Sequence, residues 1–430
     1  MSLPSGYKRL KYIQSSGTQY VNSNFKANQN TRVVIDFEYI SGDVVFGAYD
    51  VAGANGFGLQ AASNKWYTYY GTSSAYSSTA VVANTRLVAD VNKNVSTLNG
   101  AALRTATANT FSGANPLIIS GMYNASAPSF LTALKIYSCQ IYDNGTLVRD
   151  FIPCQTTSGD IGLWDDVNSV FYGNAGTGTF TAGSVIAIAA DKSEITKLKY
   201  IQSSGTQYID TNVSAPEGFR ITCDVEFTSL PNTLNMLFGS HDTTSPYYRN
   251  FLAAKNTGKW EIGAYNPTDF GSVSVNTKYS IDVCTISGAI GCSINGIDQS
   301  VDSSIATSTV RSSRTIYLFG LNYTDGLLPS NMKLYGLKMY LDADGNNLVR
   351  DYIAAKLSNG TVGLYDKLNG LLYINAGTDV FEAGPSSLNL PVNIGGTWKD
   401  ANEAFVNIGG TWKTVEAAFV NIDGTWKELS

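Results

Sequence analysis

The sequence predicts an all-β protein built as two tandem antiparallel β-sandwiches followed by an array of short β-hairpins. Three observations lead to this prediction: long segments recur, apolar and polar residues alternate along many short stretches, and no stretch inside either copy sustains a helical period. Of the 430 residues, 43% are hydrophobic and 12% are aromatic. This composition can fill large cores, which excludes wholesale disorder.

The first half of the chain returns in the second half. The longest identical segment reads LKYIQSSGTQY, and shorter matches follow it in the same order in both copies. The matched pairs are residues 10–20 with 198–208, 147–150 with 348–351, 162–163 with 363–364, and 174–177 with 375–378. We therefore place a first domain at residues 1–188 and a second at residues 189–385, each of ordinary length for one domain.

Alternation within the copies predicts half-buried strands. In residues 32–40, Val33, Ile35 and Phe37 alternate with mostly polar residues, and residues 221–227 of the second copy repeat the pattern. Asn-Gly and Asp-Gly steps between such stretches favour tight hairpins. The pattern fits an antiparallel sandwich of about a dozen strands in each copy.

The last region, residues 386–430, contains three copies of one short unit. The segment VNIGGTWK begins at residue 392 and recurs at residues 406 and 420, a period of 14 residues. Each unit is typical of a β-hairpin with a glycine turn. An isolated hairpin is marginally stable in water. We therefore expect these units to bury their aromatic side chains against each other or against another chain. A self-contained cap on the second domain fits the pattern equally well. The residues expected to mediate assembly are Trp398, Phe405, Trp412, Phe419 and Trp426.

Charge and composition exclude several classes of partner. Only 15% of the residues are charged, the net charge is −5, and the sequence pI is about 5.0. Nucleic acid is not expected as a partner, because affinity for it comes from basic residues that neutralise phosphates. No apolar run approaches the roughly 20 residues that span a bilayer, so membrane insertion is not expected. We also expect no secretion signal, and we expect no cofactor because no phosphate-binding glycine loop is found in the sequence.

The histidine and the cysteines do not indicate a catalytic triad, a zinc site or a disulfide framework. The single histidine, His241, lies in Gly-Ser-His-Asp, but a catalytic triad needs groups that converge in space, whereas consecutive strand residues point to opposite faces. One histidine cannot build a His-rich zinc site, and we expect no metal. None of the five cysteines is matched by a cysteine in the other copy. We therefore expect buried free thiols and assembly in a reducing cytoplasm.

Two pairs of carboxylates recur, Asp36 with Glu38 and Asp224 with Glu226. A spacing of two residues places both members of a pair on one strand face, which glycosidic acid/base chemistry or calcium ligation could use. A solvated strand face has the same pattern. We favour that interpretation because the pair lacks a third acidic group.

The loops use the residues that are typical of recognition surfaces. The chain contains 26 tyrosines and 41 glycines, and its densest aromatic stretch is KWYTYY at residues 65–70. The matched Trp66 and Trp260 are expected in the cores, whereas tyrosines on the opposite face or in loops suit the faces and hydroxyls of sugar rings. The ligand-binding candidates are Tyr67, Tyr69, Tyr70, Tyr76, Tyr247, Tyr248, Arg249 and Tyr265.

Three stretches of the first copy resemble a known group of modules. They read YIQSSGTQY at residues 12–20, LVRDFIPC at 147–154 and GNAGTG at 173–178. In these stretches the chain is similar to the laminin-G/concanavalin A-like jelly-roll modules of phage and prophage tail proteins of gut bacteria, and the VNIGGTWK units resemble C-terminal repeats of such proteins. The resemblance implies two jelly rolls, a place in the virion tail with other tail proteins as partners, and a homo-oligomer such as a trimer.

We therefore expect a non-catalytic tail protein, of receptor-binding or tail-fibre type, made in the bacterial host cytoplasm. It would bind host cell-surface carbohydrate through its jelly-roll loops, and two copies would raise avidity for a weak ligand. Two alternatives stay open at this point. One is a structural spacer or decoration protein of the virion with no glycan ligand, and the other is a glycan-degrading enzyme that uses one of the carboxylate pairs.

Overall fold

The computed structural model covers both copies and the strands of the C-terminal region. It describes residues 3–50, 55–125, 127–242, 249–263, 267–286, 289–299, 301, 312, 314–323, 328–387, 390–394, 397–401, 405–408, 411–414, 419–422 and 425–428, with side chains up to residue 387 except those of residues 285, 286 and 289. The chain divides into two compact units, Met1–Ala189 and Ala190–Ser430. In these residues the helical structure is one 3-10 turn at Lys192–Glu194, and no helix is long and apolar enough to cross a bilayer.

The first unit is built of β-strands, which form two sheets. Sheet 1A contains β1, β2, β4, β9–β11 and β15–β20, and sheet 1B contains β3, β5–β8 and β12–β14. Neighbouring strands are antiparallel, apart from the parallel pair β5 and β13. The strands are β1 Lys8–Leu10, β2 Ile13–Gln14, β3 Val21–Asn28, β4 Thr31–Ser41, β5 Val44–Asp50, β6 Asn55–Ala62, β7 Lys65–Gly71, β8 Ser73–Ala80, β9 Arg86–Asn92, β10 Val95–Leu98, β11 Ala101–Thr105, β12 Ser112–Ile119, β13 Met122–Asn124, β14 Ala127–Ser129, β15 Ala133–Asp143, β16 Thr146–Gln155, β17 Ile161–Asp165, β18 Val170–Tyr172, β19 Thr181–Ala182 and β20 Val185–Ala189.

The two sheets of the first unit enclose one apolar core. Val33, Ile35 and Phe37 of β4 are fully buried, and Phe37 meets Trp66 of β7 edge to face, with ring centroids 5.8 Å apart. Because side chains alternate between the faces of a strand, Val34 and Asp36 between them point outward. Full burial of each such side chain stabilises the fold by about 1.5–3 kcal/mol relative to exposure.

The second unit repeats this plan. In sheet 2A the pairing order β31-β30-β29-β24-β33-β34-β35-β36 corresponds to β11-β10-β9-β4-β15-β16-β17-β18 of sheet 1A, and β21, β22 and β37 join the same sheet. Sheet 2B runs β23-β32-β25-β26-β27-β28. The strands are β21 Ile195–Lys197, β22 Ile201–Gln202, β23 Ile209–Ser214, β24 Arg220–Ser229, β25 Leu234–His241, β26 Arg249–Lys255, β27 Trp260–Gly263, β28 Thr268–Phe270, β29 Lys278–Ile286, β30 Ala289–Ile294, β31 Ile297–Asp298, β32 Thr315–Leu318, β33 Asn331–Tyr340, β34 Leu348–Leu357, β35 Val362–Asp366, β36 Leu371–Ile374 and β37 Glu382–Ala383.

The C-terminal region forms three separate two-stranded antiparallel sheets. They pair β38 Leu390–Ile394 with β39 Thr397–Ala401, β40 Phe405–Ile408 with β41 Thr411–Thr414, and β42 Phe419–Ile422 with β43 Thr425–Glu428. The predicted class, two tandem antiparallel sandwiches followed by short hairpins, is confirmed. The five aromatic assembly candidates lie on these strands, but their side chains are outside the described part of the chain, so their role stays a prediction.

A largely buried arginine, with 18% of its side chain exposed, joins the two sheets of the first unit. Arg149 of β16 in sheet 1A donates from Nε to the carbonyl oxygen of Ser23 on β3 in sheet 1B, at 3.1 Å. Its Nε also lies 3.4 Å from Oδ2 of Asp165, a carboxylate with no exposed surface. The other oxygen of Asp165 accepts the backbone N–H groups of Asp150 and Val167 at 3.1 and 3.2 Å. The aspartate therefore holds the arginine and the end of β17 together.

The second unit contains the same arrangement. Arg350 donates from Nη2 to the carbonyl oxygen of Thr211 at 3.0 Å, and its Nε lies 3.6 Å from Oδ2 of the fully buried Asp366. The residue after each accepting carbonyl is an asparagine with positive φ, 54° at Asn24 and 53° at Asn212. Asparagine tolerates this left-handed conformation better than most residues, which explains why both copies have it there.

The QSSGTQY segment also has a structural role. Ser15 donates from Oγ to the carbonyl of Thr132, and the Oε1 atom of Gln19 accepts the backbone N–H of Ser16 at 2.7 Å. Asn174, from the repeated NAGT segment, accepts the backbone N–H of Tyr20 at 3.2 Å. The second copy makes the corresponding bonds. The most recognisable segments of the sequence thus hold loops together.

The cysteines are unpaired in the described residues, as expected. Four of the five are buried and Cys284 is half-buried. Burial raises the pKa of Cys154 to about 12 and that of Cys292 to about 12. These thiols therefore stay protonated and unreactive at neutral pH.

Replacing Asp366 by alanine should destabilise the second unit strongly, because Arg350 would be left as a buried charge without its counter-ion. We expect the free energy of unfolding to fall by about 3–5 kcal/mol. The matched control is Asp344→Ala, an exposed position in a hairpin turn, where a change within about 0.5 kcal/mol is expected. The measurement is urea unfolding with hydrogen exchange resolved to peptides of the second unit. Equal effects of the two substitutions would contradict the assigned role of the buried pair.

Candidate functional site

Four tyrosines cluster on the outward side of sheet 1B. Along β7 the side chains of Trp66 and Tyr70 point into the core, so those of Tyr67 and Tyr69 point outward. Tyr76 of the edge strand β8 is 51% exposed. We call Tyr49, Tyr67, Tyr69 and Tyr76 the tyrosine face.

Strand register brings these rings together. Tyr67 pairs with Tyr76 of β8 on one side and with Gln60 of β6 on the other. The ring centroid of Tyr67 lies 4.8 Å from that of Tyr76 and 4.9 Å from that of Tyr69, and Tyr69 lies 6.1 Å from Tyr49. All three contacts are edge to face, the geometry that aromatic pairs prefer. The rings therefore support each other in fixed orientations.

Polar groups fix the hydroxyls of the tyrosine face. Tyr67 donates to Oγ of Ser74 at 2.8 Å, Tyr69 donates to Oε1 of Gln60, and the hydroxyl oxygens of Tyr76 and Ser63 are 3.3 Å apart. Burial, followed by the neighbouring tyrosines, raises the pKa of Tyr69 to about 12, so its hydroxyl remains a neutral donor. The surface thus offers aromatic edges and faces beside neutral hydrogen-bonding groups.

Glycine beneath the rings lets them lie close to the sheet. A Cβ atom on Gly56 would stand 2.9 Å from the ring of Tyr49 and 3.1 Å from Cβ of Tyr69. These distances are shorter than ordinary carbon contacts, so any larger residue at position 56 would push the two rings apart.

The other predicted ligand-binding residues lie elsewhere. Tyr70 is 5% exposed and donates to the backbone carbonyl of Gln29 at 2.9 Å, so it belongs to the core and not to the tyrosine face. Arg249 is half-buried at the start of β26. Tyr247, Tyr248 and Tyr265 lie outside the described residues.

Sequence reasoning missed three members of this surface: Tyr49, Gln60 and Ser74. Tyr49 lies on β5 and meets Tyr69 only because β5, β6 and β7 pair in one register. The hairpin spacing between β6 and β7 could have placed Gln60 beside Tyr67, since only a short turn separates the two strands. No local signal indicates that Tyr49 joins them.

Each repeated carboxylate is held by a cation on the outward face of sheet 1A or 2A. The separations between the nearest nitrogen and oxygen atoms are short, and all eight side chains keep some exposed surface. The pairs are Asp36 with Arg86 at 2.7 Å, Glu38 with Lys135 at 2.8 Å, Asp224 with Lys278 at 3.1 Å, and Glu226 with Lys333 at 2.8 Å.

The environment of Glu226 is not that of a general acid. Burial alone would raise the pKa of Glu226, but hydrogen bonds from Lys333 and Tyr335 outweigh it and hold that pKa below the usual value. A glycosidic acid needs the opposite shift. In the described part of the chain, no group of three or more His, Cys, Asp or Glu side chains could hold a metal ion.

His241 lies in a second polar cluster, on the second unit. It ends β25 directly opposite Arg249, which donates from Nε to His241 Nε2 at 3.0 Å. The ring of Tyr323 stacks on the imidazole with centroids 4.6 Å apart and an interplanar angle of 15°. Burial, followed by the positive charge of Arg249, lowers the pKa of His241 to about 4. The imidazole is therefore neutral at physiological pH.

Comparisons with known proteins give only distant similarity. The chain matches no protein-family model, and no curated protein matches it. Domains LG4-5 of the mouse laminin alpha1 chain match at 10% identity, covering 79% of this chain and 89% of that chain with a TM-score of 0.26. The LG1-3 region of the laminin alpha2 chain matches at 11% identity over 76% of this chain and 61% of that chain, with a TM-score of 0.27.

A sialidase is also among the similar structures. Trypanosoma rangeli sialidase in complex with the inhibitor DANA matches at 11% identity, covering 66% of this chain and 58% of that chain with a TM-score of 0.26. At TM-scores this low, neither the laminin nor the sialidase similarity carries an argument about function. The fold class rests on the sheets of this chain.

The lowered pKa of His241 predicts that the second unit loses stability as the pH falls from about 6.5 toward 4. In this window the unfolded chain binds a proton at His241 that the folded chain does not, so acid favours unfolding. The measurement is urea unfolding at pH 7.5 and pH 4.5. The His241→Gln variant has no side chain that takes up a proton at this position. Its free energy of unfolding should therefore fall less between pH 7.5 and pH 4.5 than that of the unchanged protein. Identical losses in the two proteins would contradict the prediction.

Proposed function

We propose that this protein is a non-catalytic carbohydrate-binding component of a phage or prophage tail, and that its tyrosine face contacts a glycan on the host cell surface. The observation that carries the proposal is the tyrosine face itself. It combines four mutually supported rings, one of them half exposed, with the amide of Gln60 and the hydroxyl of Ser74 on an outward sheet face.

The chemistry of this surface suits sugar rings. The C–H faces of a pyranose pack on aromatic side chains, while its hydroxyls exchange hydrogen bonds with amide and hydroxyl groups. Rings already held by edge-to-face contacts lose little conformational entropy on binding. A shallow open surface makes few contacts with each sugar, so the ligand would be a repeating polysaccharide that engages several copies of the protein at once.

The place in a virion tail is supported by the recognisable segments of the sequence. QSSGTQY, LVRD and NAGT resemble those of phage tail modules, and in this chain they bond loops and sheets to one another. Such residues identify the type of module, but they do not line the tyrosine face. The proposed ligand therefore follows from the outward residues and not from the resemblance.

The ion pairs on the outward carboxylates favour binding over catalysis. Asp36 and Glu38 each contact a cation at 2.8 Å or less, and Glu226 has a lowered pKa. An enzyme of the glycosidase class needs one carboxyl group that keeps its proton near neutral pH. Glu226, whose pKa is lowered, does not provide one.

Substitution of the tyrosine face should weaken binding to cell-surface polysaccharide. For Tyr76→Ala and Tyr67→Ala in the full chain, we expect about tenfold weaker binding each, on the order of 1–1.5 kcal/mol for one lost ring contact. The measurement is binding of the protein to immobilised lipopolysaccharide and capsular polysaccharide from a panel of gut bacteria, with thermal unfolding of each variant as a check on folding.

The matched control is Tyr142→Ala, a half-buried tyrosine of the same unit on sheet 1A. It should bind as the unchanged protein does. Equal binding by all three variants would contradict the proposed site. Failure of the unchanged protein to bind any bacterial surface would favour a structural spacer, and release of reducing ends from the polysaccharide would favour an enzyme.

We further propose that the C-terminal hairpins join copies of the chain or attach it to other tail proteins. Their strands form three separate two-stranded sheets, and a lone hairpin is marginal in water. The structure also indicates where to cut the chain. Ser386 and Ser387 still pair with Leu198 and Lys197, so removal of the hairpins should begin after Ser387.

A chain that ends at Ser387 should therefore be monomeric, while the full protein forms an oligomer such as a trimer. The measurement is the mass in solution of both proteins by light scattering. Trp412→Ala in the full chain serves as the milder variant and should shift the mass distribution toward the monomer. Equal masses for the full and shortened proteins would contradict the assembly role and leave the hairpins as a cap.

A further inference from the structure

The polar cluster around His241 has a chemistry that differs from that of the tyrosine face. The Nε–H of Arg249 always donates, so the Nε2 atom of His241 that receives it carries no proton, and the neutral ring holds its proton on Nδ1. Tyr323, stacked on the ring, is 37% exposed. The cluster thus presents a guanidinium beside a flat, partly exposed aromatic stack.

The guanidinium of Arg249 has hydrogen-bond donors that could bind a ligand. Its Nη1 and Nη2 atoms make no hydrogen bond and no ion pair with any of the described residues, although Nε is engaged. A guanidinium offers planar paired donors that match the oxygen atoms of a carboxylate or a phosphate. The unused donors therefore favour an oxyanion as the ligand.

The charged residues described around His241 also favour an anionic ligand. Asp242 accepts a hydrogen bond from Oγ of Ser312 at 2.9 Å, and the same Oγ accepts the backbone N–H of Arg314 at 3.2 Å. Of the described residues whose charges act on His241, Arg249 and Arg314 are positive and Asp242 is negative. This local excess of positive charge contrasts with the net charge of −5 of the whole chain.

At the corresponding position the first unit has a tyrosine opposite a glycine instead of a histidine opposite an arginine. Its segment FGAYD, residues 46–50, corresponds to FGSHD, residues 238–242, and has the uncharged Tyr49 in the place of His241. In the strand pairing, Tyr49 faces Gly56, whereas His241 faces Arg249. The two copies of one module thus differ in charge at the same end of the same sheet.

We propose that the second unit binds an acidic saccharide at this cluster, with the carboxylate or phosphate of the sugar on Arg249 and its ring against Tyr323. This is a second ligand site, independent of the tyrosine face. Coulombic attraction would guide the anionic group to the guanidinium, and the stacked rings would offer an apolar surface to the sugar. A neutral sugar would offer the guanidinium only hydroxyl oxygens, without the paired, charge-assisted hydrogen bonds that a carboxylate or phosphate accepts, so the site favours a charged sugar.

The single histidine makes this site directly observable. The full-length protein is titrated at pH 7.5 with methyl glucuronide, with glycerol phosphate and with the neutral methyl glucoside, and the imidazole proton signal of His241 is followed by NMR. We expect a saturable shift with at least one anionic probe and none with the glucoside. The two anionic probes show whether a carboxylate or a phosphate is the preferred group.

Three variants test whether the shift of the His241 signal depends on the guanidinium of Arg249. Arg249→Gln should weaken binding at least tenfold, and Arg249→Lys should bind more weakly than the unchanged protein but better than Arg249→Gln, because it keeps the charge and loses the planar pair of donors. Lys338→Gln, at an exposed lysine of sheet 2A, should leave binding unchanged. The proposal is overturned by absence of a shift with both anions, by an equal shift with the neutral glucoside, or by equal losses in the Arg249→Gln and Lys338→Gln variants.

Discussion

In each unit a largely buried guanidinium joins the two sheets and holds together the strand ends around it. Arg149 and Arg350 each reach from one sheet to a backbone carbonyl of the other, and each has a fully buried aspartate beside it. A charge removed from water is tolerated only where partners surround it. The strand ends that supply those partners must therefore stay in place, and the left-handed Asn24 and Asn212 turn the chain beside the accepting carbonyls. The two copies repeat the carboxylate–cation pairs of sheets 1A and 2A, whereas sheets 1B and 2B differ where Tyr49 of the first copy corresponds to His241 of the second.

Much of the fold could be predicted because its signals are local or repeated. Period-two alternation identified β4 and β24, and the matched Trp66 and Trp260 were expected in the cores, where both are fully buried. The hairpins of the C-terminal region followed from their glycine turns. The sequence did not indicate that LVRD supplies an inter-sheet arginine, because its partners at Ser23 and Asp165 are brought to it only by the pairing of distant strands.

The candidate sites could be predicted only in part, for a similar reason. Alternation along β7 places Tyr67 and Tyr69 outward, and the same rule should have excluded Tyr70, whose side chain fills the core. Tyr49 joins the surface through the register of three strands, which no short segment of sequence reveals. The contact between Arg249 and His241 likewise depends on the pairing of β25 with β26. Local pattern thus indicates which face a residue occupies, and long-range pairing decides its neighbours.

Each unit has a repeated inner frame, and we propose that outward faces carried by this frame recognise carbohydrate. Hydrogen–deuterium exchange of the full protein, with and without a polysaccharide from the host envelope, tests it most directly. We expect slower exchange in residues 65–80, which contain β7 and β8, and unchanged exchange in residues 147–165 of the frame. Protection confined to the frame, or to the carboxylate-bearing strands of sheet 1A, with residues 65–80 unaffected, would contradict it.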